Sequence, residues 1–139
     1  MTSSTRRSKY VQCLGLDELP EPGRAVSRTA EGVAVCIVVD PKGSIFALED
    51  KIPPHFNRQL STGIVHSDST IEDPILGTKF SLETGDVVGS WCPSGLGKLI
   101  GAMFEPVSIP TFPLRHKGRS LEVQLDLEDH PENRICQSF

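Results

Sequence analysis

The chain has 139 residues, 37% of them hydrophobic and 23% charged, and a net charge of −4. These values are typical of one soluble globular domain that is large enough to bury a hydrophobic core. The negative balance offers no basic face to nucleic acid, so we expect no nucleic-acid partner. No apolar run approaches the roughly 20 residues that a membrane-spanning helix needs, so we expect no such helix.

Both ends of the chain are polar. The first ten residues, MTSSTRRSKY, are basic and rich in Ser and Thr, which fits either the remnant of an organelle transit peptide or an ordinary flexible terminus. We expect a flexible N-terminus over 1–8, one domain over 9–127 and a polar tail over 128–139. The lack of a secretory apolar region favours a reducing compartment, in which the cysteines stay unpaired: Cys13, Cys36, Cys92 and Cys136.

Short strands and turns dominate the pattern between the two ends. Twelve glycines and eleven prolines indicate many turns, and no window shows sustained helical periodicity. The best helical candidate, 96–104, carries glycine at two positions. The sequence predicts strands over 9–14, 24–29, 33–39, 45–49, 63–66, 70–72, 79–82, 86–88, 111–116 and 120–127. We therefore predict an all-β fold, an antiparallel sandwich or barrel.

One predicted strand is almost entirely apolar. Residues 33–39 read VAVCIVV, and such a β-branched run indicates a strand that is buried on both faces. The next residues, Asp40-Pro41-Lys42-Gly43, predict a tight turn, because proline presets one turn dihedral and glycine accepts a positive one. Residues 45–49 then return as the hairpin partner.

The stretch over 46–89 resembles the cluster-binding region of a Rieske domain. Its frame has Ala47-Leu48 before a first loop, Leu60-Ser61-x-Gly63 after it, and Gly77, Phe80 and Thr84-Gly85 after a second loop. The resemblance covers nearly the whole domain and implies a Rieske-type antiparallel β-sandwich or barrel with a small loop-bearing subdomain.

In the Rieske family, a Cys-x-His pair and a Cys-x-x-His pair hold two irons. The resemblance puts Pro53 and His55 at the first pair and Asp73 and Leu76 at the second, with residues 56–72 between the pairs. Iron–sulfur clusters select soft thiolates, and the side chains of proline and leucine cannot bind a metal. No two cysteines form a Cys-x-x-Cys or Cys-x-His pair. We therefore expect four degenerate ligand positions, no metal and no cofactor.

A mononuclear metal held by His55, Asp73 and His66 is the remaining metal hypothesis. The simpler interpretation is that these three are ordinary polar residues on two loops. His116 lies between Arg115 and Lys117 and fits a solvated strand residue. No nucleophile elbow, P-loop, dinucleotide fingerprint or paired zinc-ligand pattern occurs, so we predict that the protein is not an enzyme.

An apolar insert over 90–104, SWCPSGLGKLIGAMF, follows the hairpin at Thr84-Gly85. It contains the only tryptophan and a single charged residue, Lys98. Burying large apolar side chains stabilises a fold by about 1.5–3 kcal/mol each, so the insert either caps the chain's own sheet or docks on a partner or a membrane. Docking would use Trp91, Leu96, Leu99, Ile100, Met103 and Phe104. Cys92 could be redox-sensitive, but an unreactive thiol is the preferred interpretation.

Two branches of the Rieske fold lack most ligands. The chain resembles the chloroplast Rieske-like proteins associated with photosystem II over 73–80 and in the hairpin that runs into Trp91-Cys92-Pro93. This resemblance implies a non-catalytic protein that docks on and organises a photosynthetic membrane complex, peripherally, at the stromal face of the thylakoid. One alternative is the accessory small subunit of assimilatory nitrite reductase, soluble in stroma or cytoplasm. Another is a Rieske-type electron-transfer protein with a 2Fe–2S cluster.

Overall fold

The computed structural model describes residues 8–53, 59–93, 98–99 and 101–126. These residues form antiparallel strands, and the predicted all-β fold is confirmed. The strands are β1 Ser8–Gly15, β2 Arg24–Ala30, β3 Val33–Val39, β4 Ile45–Glu49, β5 Ile64–His66, β6 Thr70–Glu72, β7 Lys79–Ser81, β8 Val87–Val88, β9 Leu114–Lys117 and β10 Ser120–Asp126.

Helical structure is confined to short turns in the described part of the chain. Two 3-10 helices cover Leu16–Glu18 and Leu60–Thr62, and one helical turn lies in the insert, where the N–H of Ala102 donates to the carbonyl of Lys98 at 3.2 Å. No helix among the described residues has the length and apolar character to span a bilayer. The predicted N-terminal segment over 1–8 lies outside the described residues except for Ser8, which begins β1, and the predicted tail over 128–139 lies outside them entirely.

The strands are arranged in three sheets. Their orders are β1-β10-β9, β2-β3-β4 and β5-β6-β7-β8. The last sheet, with the two loops and the insert, makes up the loop-bearing layer. The open edge of β4 is covered by residues 110–112, since Glu49 N–H donates to the carbonyl of Pro110 and Phe112 N–H to that of Ala47, both at 2.9 Å.

Strand β3 contributes to two hydrophobic cores. Val33, Val35 and Ile37 pack into the core shared with the β1-β10-β9 sheet. Cys36 and Val38 point to the opposite side, into the core of the loop-bearing layer. Successive side chains of a strand alternate between its faces, so an uninterrupted apolar run fills both cores. The predicted burial on both faces is confirmed.

The strand predicted over 111–116 is wrong at its start, because β9 begins only at Leu114. Pro113 has no N–H to give to a ladder, and residues 110–112 bond to β4 instead. In the order of this sheet, β9 comes last and pairs with β10, so it lies at the margin of the sheet. Three exposed residues, Arg115, His116 and Lys117, follow along this margin.

Candidate functional site

The first loop leaves β4 and is closed at its base by a buried carboxylate. Asp50 Oδ1 accepts the N–H of Ser61 at 2.7 Å, and its Oδ2 accepts the hydroxyl of Ser61 at 3.0 Å. The two ends of the loop are therefore held together by side-chain hydrogen bonds. Pro53 is buried at the first predicted ligand position, and His55 lies outside the described residues.

The second loop, Asp73 to Thr78, is closed by its own hydrogen bonds. The N–H of Asp73 donates to the carbonyl of Thr78 at 2.8 Å, and the N–H of Gly77 donates to the carbonyl of Asp73 at 3.0 Å. The side chain adds a third bond, because Asp73 Oδ1 accepts the N–H of Ile75 at 2.7 Å. This side-chain turn is a local motif that aspartate favours, so the loop needs no metal to hold its shape.

Asp73 is fully buried, and its Oδ2 has no hydrogen-bond partner among the described residues. Burial raises the pKa of Asp73 because the ionised form loses its hydration, and the charge of Glu72 acts in the same direction. Backbone N–H groups of Ile75 and Leu76 lower that pKa but do not outweigh the burial. The environment of Asp73 therefore holds its pKa above the usual aspartate range.

Leu76, at the last predicted ligand position, is a core residue. Its side chain is 2% exposed and packs in the core of the loop-bearing layer, which also contains Ile52 and Phe80. The preceding residue, Ile75, is exposed at the tip of the loop. Leu76 thus anchors the second loop to the protein interior.

His66 pairs with a carboxylate on the neighbouring strand. Its Nε2 lies 2.8 Å from Glu72 Oε1, across the β5–β6 pair. Among the described residues, no three His, Cys, Asp or Glu side chains are grouped as a metal site. The mononuclear hypothesis therefore gains no support from His66 and Asp73, while its third member, His55, lies outside the described residues.

The base of the insert folds onto the loop-bearing layer. The indole N–H of Trp91 donates to the carbonyls of Gly101 at 3.2 Å and Phe104 at 3.1 Å. The Trp91 ring packs against the core, and Cys92 is buried within it. These contacts attach the turn over 101–104 to the domain. The base of the insert therefore caps the chain's own sheet, which is one of the two interpretations of the insert.

The tip of the insert exposes apolar side chains. Leu99 is 69% exposed, Met103 76% and Phe104 48%; we call these three residues the apolar platform. Clustered exposure of large apolar side chains is typical of an interaction surface. Leu96 and Ile100, which the docking interpretation also includes, lie outside the described residues. Between the insert and the second loop is an open cleft of about 320 Å³, lined by Gly77 on one side and Pro93 on the other.

The sequence did not predict the roles of two structural residues of the site. Asp50 closes the first loop, and Thr78 accepts hydrogen bonds from both the second loop and the insert. Neither residue belongs to a periodic pattern or a motif, because their partners are 5 to 14 positions away along the chain. The one available signal was the position of Thr78 directly after Gly77 in the Rieske-like frame.

The family is established by comparison with known proteins. The model of the Rieske-like [2Fe-2S] domain family matches residues 9–124. The chain therefore belongs to this family. A comparison with curated protein sequences found no match.

Solved structures of the same fold include a ferredoxin and nitrite reductase subunits. The ferredoxin of carbazole 1,9a-dioxygenase from Nocardioides aromaticivorans has a TM-score of 0.63 at 22% identity, over 83% of this chain and 96% of that one. A protein described as the small subunit of NADH-dependent nitrite reductase from Mycobacterium tuberculosis has 0.62 at 22%, over 86% and 96%. Escherichia coli NirD has 0.61 at 17%, over 86% and 98%. At these identities the likeness shows the fold alone.

The described residues that the resemblance puts at the ligand positions do not fit a 2Fe–2S centre. Such a cluster takes thiolate and imidazole ligands, whereas the side chains of Pro53 and Leu76 offer no donor atom. Asp73 offers a carboxylate, a hard ligand, and one of its oxygens is already bound to the N–H of Ile75. The described cysteines lie elsewhere: Cys13 in β1, Cys36 in β3 and Cys92 at the base of the insert.

Proposed function

We propose that this protein is a cluster-free, non-catalytic member of the Rieske-like family that acts as an accessory subunit. It binds the catalytic subunit of a larger oxidoreductase through the apolar platform. The observation that carries this proposal is the exposure of Leu99, Met103 and Phe104 on a segment that is hydrogen-bonded to the Trp91 indole through the carbonyls of Gly101 and Phe104.

The ligand positions support the cluster-free part of the proposal. Leu76 lies in the core and Asp73 closes its own loop, so both residues have structural uses that need no metal. Electron transfer is the function that these residues support least, because no thiolate stands at positions 53 or 73.

The platform supports the docking part. Water-exposed side chains of this size forfeit about 1.5–3 kcal/mol each relative to burial, and a bound partner recovers that stabilisation. A preorganised turn also loses little conformational entropy on binding. An oxidoreductase is the favoured partner because one structural neighbour is described as the small subunit of a nitrite reductase and another as the ferredoxin of a dioxygenase.

The first experiment measures iron. We expect the protein, purified without chelators from iron-replete cells, to be colourless, with no visible absorption bands and far less than one iron per chain. Acid-labile sulfide should be absent as well. A reddish-brown protein with about two irons and two sulfides per chain would refute the cluster-free proposal and establish an electron carrier.

The second experiment measures docking. The triple variant Leu99→Ser, Met103→Ser, Phe104→Ser should fold like the wild type but lose recovery of an oxidoreductase catalytic subunit, identified by its own cofactor spectrum, in affinity purification from native extract. The matched control is Ile64→Ser, which removes another exposed apolar side chain, 54% exposed, on β5. The control should retain the partner. Equal recovery with the triple variant contradicts the proposed surface.

A photosynthetic membrane complex is the second candidate partner. The observation in its favour is the same exposed platform next to Lys98, an arrangement that also suits the interfacial layer of a membrane. In the same purification from solubilised thylakoids, a chlorophyll-containing complex that is recovered with the wild type and lost with the triple variant would identify this partner. The proposed location in that case is the stromal face of the thylakoid.

A further inference from the structure

Buried contacts that centre on Thr78 join the second loop to the insert. The carbonyl of Thr78 accepts the N–H of Asp73 at 2.8 Å, at the start of the loop. Its hydroxyl accepts the N–H of Cys92 at 2.9 Å and donates to Cys92 Sγ at 3.6 Å. Thr78 and Cys92 are both fully buried, so water cannot replace these bonds.

Cys92 continues this contact to the base of the platform. Gly101 lies so close that a Cβ added there would be 2.7 Å from Cys92 Cβ and 3.4 Å from its Sγ. Trp91, next to Cys92, binds the carbonyls of Gly101 and Phe104 through its indole N–H. The turn that carries the platform is therefore placed by residues 91–92, and those are placed by Thr78.

We propose that Thr78 is a positioning residue that couples the second loop to the apolar platform, so that the docking surface is formed while the loop is closed. The inference rests on the proposed function in treating the platform as a docking surface. The coupling itself is a property of the folded chain and needs no partner. Because coupling between two sites is reciprocal, a partner seated on the platform also tightens the second loop.

The variant Thr78→Val tests the coupling directly. Valine nearly preserves the shape of threonine but removes the hydroxyl, which leaves the buried N–H of Cys92 unpaired. Trp91 is the only tryptophan, so its fluorescence reports on the base of the platform. We expect a red-shifted emission and roughly tenfold or faster hydrogen exchange at the amides of Ala102 and Phe104. Thr78→Ser keeps the hydroxyl and should restore both readouts.

The matched control is Thr70→Val on β6. Thr70 is another buried threonine, and its hydroxyl donates to Asp68 Oδ1 at 2.6 Å, away from the insert. The control should leave the Trp91 emission unchanged even where it lowers the melting temperature. The proposal is overturned by a folded Thr78→Val protein with wild-type emission, or by an equal red shift in both variants.

The reverse direction is tested from the platform side, with a variant that does not depend on Thr78. Gly101→Ala pushes a methyl group against Cys92, and this displacement should reach the second loop through Thr78. We expect roughly tenfold faster exchange at the amides of Ile75 and Gly77, which Asp73 binds. Unchanged exchange at both amides in the folded variant refutes the coupling.

Failure of this inference is distinguishable from failure of the proposed function. Both fluorescence and hydrogen exchange are measured on the isolated protein, whereas the function is measured by partner recovery. Intact coupling with no partner recovered would refute the function alone. If the wild type recovers the partner but Thr78→Val leaves the Trp91 emission unchanged, the coupling alone is refuted.

Discussion

At the scale of single residues, Asp73 combines a stabilising and a destabilising interaction. Its Oδ1 closes the second loop, while its Oδ2 is buried without a hydrogen-bond partner among the described residues. Such an acid is more easily tolerated in its neutral form. Since burial raises the pKa of Asp73, the folded state holds this proton more tightly than the unfolded state does.

The pH dependence follows from that difference. As pH rises above the ordinary aspartate pKa of about 3.9, Asp73 in the unfolded state releases its proton first, so the contribution of Asp73 to stability falls until the pH passes its folded pKa. Asp73→Asn removes this loss and keeps an oxygen for the N–H of Ile75. We expect the melting temperature of the variant, relative to wild type, to increase from about pH 4 to about pH 7.

Asp68 provides a control of opposite sign. A hydrogen bond from the Thr70 hydroxyl lowers the pKa of Asp68, so its contribution is present above the unfolded pKa and is lost as the pH falls. Asp68→Asn should therefore lose stability relative to wild type at neutral pH and recover it in acid. If Asp73→Asn shows the same sign as Asp68→Asn, the assignment of a burial-raised pKa to Asp73 is wrong.

At the scale of elements, local patterns predicted most strands. Alternation, β-branched runs and turn residues placed β3 and β4 at the bounds observed in the structure. The predicted start of β9 was wrong because residues 110–112 bond to β4, and no local pattern encodes this long-range pairing. The Rieske-like frame predicted the two loops. It could not predict that Thr78 connects the second loop to Cys92, because this contact is also long-range.

The turn between β7 and β8 is a point where one glycine is required. Gly85 has a φ of +79°, its carbonyl accepts the N–H of Ile109 at 2.8 Å, and a Cβ would overlap the carbonyl of Ile109. Gly85→Ala should cost about 3–4 kcal/mol in urea unfolding, through backbone strain plus displacement of the Ile109 segment. Gly118→Ala, at φ +62° with open space around it, should cost only about 1–2 kcal/mol. Equal losses would contradict this account.

At the scale of the whole molecule, β3 makes the two cores interdependent. Its alternate side chains belong to different cores, so neither core survives the loss of this strand. We expect a single unfolding transition, in which Trp91 fluorescence, a probe of the loop-bearing layer, coincides with far-UV circular dichroism, a probe of all strands. A Trp91 transition at clearly lower denaturant would mean that the loop-bearing layer unfolds by itself.

The margin of the β1-β10-β9 sheet has a consequence for self-association. Arg115 is held over the ring of Tyr10, 4.0 Å from its centroid, and its Nε donates to Glu122 Oε1 at 2.8 Å. Together with Lys117, Arg115 places two cationic side chains on the edge strand β9. An incoming strand from a second molecule would have to bring like charges together and strip their water. This border therefore resists the edge-to-edge polymerisation to which short-stranded β proteins are prone.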